Sequence, residues 1–98
     1  MSREYKLELR ELLVQALVKD MTDAQKQEMI ESLQSEPDVE RSIERAFTAM
    51  VSTVMFADRE KVLTEVETQE LAAEIVDMMF NELITFGGVN VNDNRVLN

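Results

Sequence analysis

Apolar residues return every three or four positions along most of this chain, the spacing of helix faces. From Arg3 to Lys19, stepping each residue by about 100° gathers Glu4, Glu8, Glu11, Gln15 and Lys19 into a narrow polar stripe. Tyr5, Leu9, Leu12, Leu13, Ala16 and Leu17 form one apolar face, and Leu7, Val14, Val18 and Met21 a second. Lys6, Arg10 and Asp20 interrupt these faces. Near the other end, Glu67, Glu70, Glu74, Asp77 and Asn81 share roughly a quarter of the circumference, and nearly everything else from Val66 to Phe86 is apolar. Between them, Val39, Ile43, Ala46, Phe47, Met50, Val54 and Ala57 line one side of a conventional amphipathic helix, with Arg41, Glu44, Arg45, Thr48 and Ser52 opposite.

Capping signals divide this pattern into four helices. Ser2 is placed to cap the first. Thr22 and Gln25 form a capping box that opens the second, which runs to about Gln34. Ser35 is the expected cap of the third, with Pro37 in its first turn and Asp38 closing the box. Thr64 and Glu67 form a further box, predicting a break near Lys61 to Leu63; without it the third and fourth helices would run together as a single rod. Gly87 and Gly88 predict a left-handed stop to the fourth helix.

The expected fold is all-α: a compact bundle of about four helices over residues 1–88, followed by a short tail over 89–98. A surface helix needs an apolar face of only about 100° or a little more. The first and fourth helices exceed that, and two other helices, one of them short, do not cover both. The surplus predicts a homodimer through these two helices. The tail alternates Val and Asn from Val89 to Asn92 and reads as a frayed end, or as an extended arm for a partner.

Composition narrows the chemistry. With no histidine and no cysteine among 98 residues, the usual general base, the commonest zinc ligand, thiolate sites and disulfides are all missing. Charges scattered through MSREYKLELRELL speak against a signal peptide, and no apolar run reaches a membrane-spanning length, so a cytoplasmic protein is expected. The net charge is -10 and unevenly spread. Residues 1–61 hold thirteen acids and nine bases, whereas residues 62–98 hold seven acids and only Arg95. Direct nucleic-acid binding needs a basic stripe and is disfavoured; a basic protein partner is not.

Candidate sites are few. No Ser or Thr has a His or Cys base beside it, and the only Gly pair follows a helix instead of opening one, so no catalytic or phosphate-binding motif is present. DREKVLTEVETQ (58–69) begins like a calcium loop but has Leu63 at the required glycine and Gln69 at the closing Glu. Carboxylates alone on Glu70, Glu74 and Asp77 dictate no metal cage. No metal and no cofactor are expected. The seven methionines read first as core filler and secondly as an adaptable groove. Met55 and Phe56 fall off the third helix's stripe; they either pack where the chain turns or form an exposed contact patch.

The functional expectation is therefore a non-enzymatic acidic adaptor or regulatory protein. Glu67, Glu70, Glu74 and Asp77 would pair with a basic protein surface, with Met55 and Phe56 as further contact residues. The alternatives are an inhibitor imitating a row of phosphates, which needs Glu4, Glu8 and Glu11 beside the same acids, and a structural subunit of a larger assembly.

Overall fold

A computed structural model describes the backbone of residues 2–97 and the side chains of residues 3–87. Among them are four helices and no strand: α1 (Ser2–Val14), which passes directly into a π-helical stretch (Gln15–Lys19), α2 (Asp23–Ser35), α3 (Val39–Ala57) and α4 (Glu65–Leu97). No helix is long and apolar enough to cross a membrane among the described residues. The expected all-α bundle is observed.

Local chemistry explains most boundaries. The Thr22 hydroxyl accepts from the Gln25 amide at 3.1 Å while the Gln25 side chain accepts from the Thr22 amide at 2.9 Å. The Thr64–Glu67 box is formed in the same reciprocal way, at 3.1 and 2.9 Å. The third helix starts later than its sequence suggested. Ser35 ends α2, its hydroxyl donating to the Ser32 carbonyl at 2.9 Å, and the cap of α3 is Asp38, which accepts from the Arg41 amide at 3.2 Å. Pro37 accounts for the shift, because the residue before a proline is driven out of the helical region. Glu36 is accordingly extended. The capping role expected of Ser2 falls on a side chain outside the described residues.

α4 is the element on which the others converge: α3, α2, α1 and the π-helical stretch all pack against it. Ala72, Ile75 and Val76 of α4 meet Leu9, Leu13, Val14 and Val18 from the N-terminal helix and Met50 and Val54 from α3. Ile75 and Val54 are wholly buried. The π-helical bond from the Asp20 amide to the Gln15 carbonyl, 2.8 Å, widens the helix by one residue just where Val18 enters this core. α2 holds on less tightly, with no buried residue of its own.

The break between α3 and α4 is organised by one buried carboxylate. Asp58, only 3% exposed, follows the last residue of α3. It accepts hydrogen bonds from the amides of Val62 (3.1 Å) and Leu63 (3.0 Å) and from the Tyr5 hydroxyl (2.9 Å) on α1. Lys61 takes the left-handed conformation (φ 54), which costs a non-glycine residue roughly 1–2 kcal/mol. Its ammonium donates to the Met55 carbonyl at 3.2 Å, satisfying a free acceptor at the end of α3. Burial pushes the Asp58 carboxyl up, but the Leu63 and Val62 amides, the Tyr5 hydroxyl and the Lys61 charge together outweigh it and hold it below its ordinary value. The Tyr5 phenol is raised, by burial first and then by its bond to Asp58.

Gly87 and Gly88 do not end α4. The helix continues through both to Leu97. Glycine in a helix costs only about 1 kcal/mol relative to alanine, and no proline follows to enforce a stop. At Gly87 an added Cβ would lie 2.8 Å from Cδ1 of Ile30 on α2, the movable end of that side chain.

Asp58→Ala leaves the Val62 and Leu63 amides without their acceptor, at about 1–3 kcal/mol each, so chemical denaturation should show a loss of about 2–6 kcal/mol, and Tyr5→Phe a smaller one. Because Asp58 has a lowered carboxyl pKa in the fold, its contribution is complete above the unfolded value of about 3.9 and is lost as pH falls through the folded value; the denaturation midpoint should therefore decline on acidification below about pH 4 in the native chain and decline less in Asp58→Ala. Gly87→Ala should raise stability by up to about 1 kcal/mol, because the terminal methyl of half-buried Ile30 can swing aside; a left-handed stop at this position would make the same change destabilising.

Candidate functional site

The acidic stripe of α4 begins within its first turn, where Glu67 performs two tasks. One carboxylate oxygen completes the capping box with the Thr64 amide, and the other bonds the Lys6 ammonium of α1. These bonds, Lys6 first and then the Thr64 amide, hold the Glu67 carboxyl below its ordinary range. Two turns along, Arg10 Nε bonds Glu74 Oε1 at 2.6 Å, which raises the guanidinium further above its already high value. Lys6 and Arg10 meet Glu67 and Glu74 in chain order, so α1 and α4 run in the same direction. Both pairs are partly open to water.

The row of acids is therefore not the single-signed rail its own helix suggests. The missing bases stand on α1, at the two positions that interrupt its apolar faces. Glu70 and Asp77 are different: both are exposed, and no basic side chain among the described residues pairs with either. Glu70 borders a shallow groove between α1 and α4 together with Leu7, Leu63 and Leu71. Leu7 is exposed there, so an apolar side chain and an unpaired carboxylate share one surface.

Phosphate imitation needed Glu4, Glu8 and Glu11 beside the α4 acids. Lys6 and Arg10 face those acids instead, and Glu8 borders a separate depression with Leu12, Phe56 and Glu60. Met55 and Phe56 do not join the stripe either. Met55 lies beside the Asp58 turn, with Leu63 and Thr68, whereas Phe56 stands 83% exposed over the α1 side. Packing at the turn, the first expectation for these two, is not realised, because Asp58, Tyr5 and Ala57 already occupy the interior of that corner. The six proposed contact residues thus divide among four places: Glu67, Glu70 and Glu74 around one groove, Asp77 further along α4, and Met55 and Phe56 in two separate depressions near the end of α3.

A further groove of about 350 Å³ lies among α2, α3 and α4, lined by Met29, Met50, Met79, Phe80 and Leu83 with Arg45 at its rim. Arg45 reaches Glu36 at 3.7 Å. Met50 is core filler in the ordinary sense, while Met29 and Met79 are half-buried and border the groove. Asp58 is the residue sequence reasoning passed over. The segment it opens begins like a calcium loop but fails that pattern at Leu63 and Gln69, and its oxygens are taken up by backbone amides and Tyr5. Among the described residues no three acids gather in a way that could hold a metal ion.

A double-mutant cycle on Arg10 and Glu74 should give a coupling of about 0.2–1 kcal/mol, as expected of a surface pair, and it should shrink with added salt. Compared with models of protein families, with curated proteins and with solved structures, the chain shows no match.

Proposed function

We propose that the protein is a non-enzymatic acidic adaptor or regulatory protein that docks a basic protein surface along the α1–α4 groove. The observation that carries this reading is the pairing of exposed Leu7 with exposed, unpartnered Glu70 on one surface, with Asp77 two turns further along the same helix. An apolar anchor supplies affinity and the carboxylates supply steering and register. The charge of -10 favours approach of a cationic partner over any polyanion. Glu67 and Glu74 play a supporting part: their bonds to Lys6 and Arg10 hold the walls of the groove. A binding role also suits a chain without histidine or cysteine.

Imitation of nucleic acid has less support, since cations of α1 interrupt the acids where a broad negative sheet is required.

The test separates docking charges from structural ones. Glu70→Gln with Asp77→Asn leaves both internal ion pairs intact, and Leu7→Ser removes the anchor. A partner captured by the native chain and identified by mass spectrometry should bind the charge variant about threefold to thirtyfold more weakly, the effect of two exposed charge contacts at about 0.3–1 kcal/mol each. Its affinity should fall with salt less steeply than that of the native chain. Equal affinity and equal salt dependence in both proteins would reject the reading.

A further inference from the structure

We infer that α2 is a lid: it lifts as one piece from a core that is complete without it, and in lifting it opens the groove beneath. The buried cluster at the centre of the fold is built from α1, the π-helical stretch, α3 and α4. No residue of α2 belongs to that cluster or to the half-buried apolar side chains packed around it. α2 turns one narrow stripe inward, Lys26, Met29, Ile30 and Leu33, and each of these is only half-buried. Met29 and Leu33 line the groove with Met79, Phe80 and Leu83 of α4. Leu83 is buried although it lies outside the central cluster, so its cover comes from the packing of α2 on α4. When α2 lifts, Met79, Phe80 and Leu83 become a continuous apolar surface.

The fastenings that hold α1 are missing from α2. Tyr5 bonds Asp58, Lys6 bonds Glu67 and Arg10 bonds Glu74, so α1 is tied at three points. The side-chain bonds of α2 stay within it, Gln27 to Glu31 and Ser35 to Ser32. Among the described residues, no hydrogen bond or ion pair joins a side chain of α2 to another helix. Its charged contact with α4 is the Lys26 ammonium, 5.7 Å from the centre of the Phe86 ring. Both ends of α2 are jointed, since residues 20–22 and 36–38 are not helical. Buried Met21 fixes the first joint, and the 3.7 Å pair of Glu36 with Arg45 lies at the second. Apolar contact along one stripe, with a joint at each end, makes lifting an event separate from unfolding of the core. Leu7 and Glu70 belong to helices that stay folded, so the docking proposed for the α1–α4 groove does not depend on the lid.

Hydrogen exchange of the native chain tests this. A helix of thirteen residues is marginal in water, so a lifted α2 loses its internal hydrogen bonds. Its amides from Gln27 to Gln34 should share one level of protection, at least about a hundredfold below that of Met50 to Val54 and Ala72 to Val76. The chain has no cysteine, so a single introduced thiol reports its own site. Leu83→Cys should react with a water-soluble aromatic disulfide at least about a hundredfold faster than Val54→Cys in the core. Adding Glu28→Pro, which breaks α2 at an exposed position, should speed the reaction at position 83 further. It should leave position 54 protected and a cooperative unfolding transition in place. Equal protection of α2 and the core in the native chain overturns the inference. Exposure of Val54→Cys, or loss of the cooperative transition, when α2 is broken overturns it as well, because the core would then need α2.

Discussion

The arrangement depends on a single carboxylate, Asp58. The chain from Val39 to Leu97 is helix-forming almost throughout, and unbroken it would be a rod with no means of covering its own apolar faces. Asp58 gives the amides of Val62 and Leu63 an acceptor that a helix would otherwise have supplied. The Tyr5 hydroxyl on the same carboxylate ties α1 to the turn. One side chain therefore ends a helix, shapes the reversal and positions a third segment. Lys61 supports it by taking the left-handed conformation and bonding the Met55 carbonyl.

Once α3 and α4 are folded back on each other, α4 supplies the seam that every other element uses. Ala72, Ile75 and Val76 lie one turn apart or next to each other on that seam, and the short side chain of Ala72 lets neighbouring helices approach closely. The N-terminal helix reaches the seam over its whole length because its π-helical stretch turns Val18 inward. α2 is the least committed element. It contacts α4 through half-buried residues, including Ile30 against Gly87, and leaves a groove open toward α3. Local opening of the fold is expected first at α2, where the fewest apolar groups are buried.

The distribution of charge follows from the same packing. Glu67 serves its own helix as a cap and serves α1 as an ion-pair partner. Lys6 and Arg10 interrupt apolar faces of α1, which looked like a flaw in its pattern. They lie there because the acids of α4 are opposite. Such exposed pairs add little stability, but they fix which stripe of α1 meets α4, and they remove Glu67 and Glu74 from the set of free charges. Glu70 and Asp77 are left without a basic side chain beside them among the described residues.

By itself the sequence determined the helices, two of the three capping boxes it suggested and the existence of a break before Thr64. The boxes are made by side chains three residues from the backbone groups they serve, so short-range spacing is enough to read them, and the Thr64 box marks where the break must end. It also showed that the chain carries more apolar surface than its helices need, and Leu12, Phe56, Val66 and Ile84 are indeed exposed. Which residues end up outside was not legible. Leu12 belongs to a face that looked suited to the interior and Phe56 lies off the stripe of its helix, yet both are exposed; only the docking of α1 and α3 on α4 decides this. The partners of the acidic stripe were hidden for the same reason: a helical wheel describes one helix, and Lys6 and Arg10 are more than sixty residues away. Gly87 shows the limit most plainly. Local preference reads it as a stop, whereas in the fold α4 passes through it with Ile30 of α2 close by. Long-range contact is what tertiary structure adds, and in this protein it decides the charges, the exposed anchors and the course of the last helix.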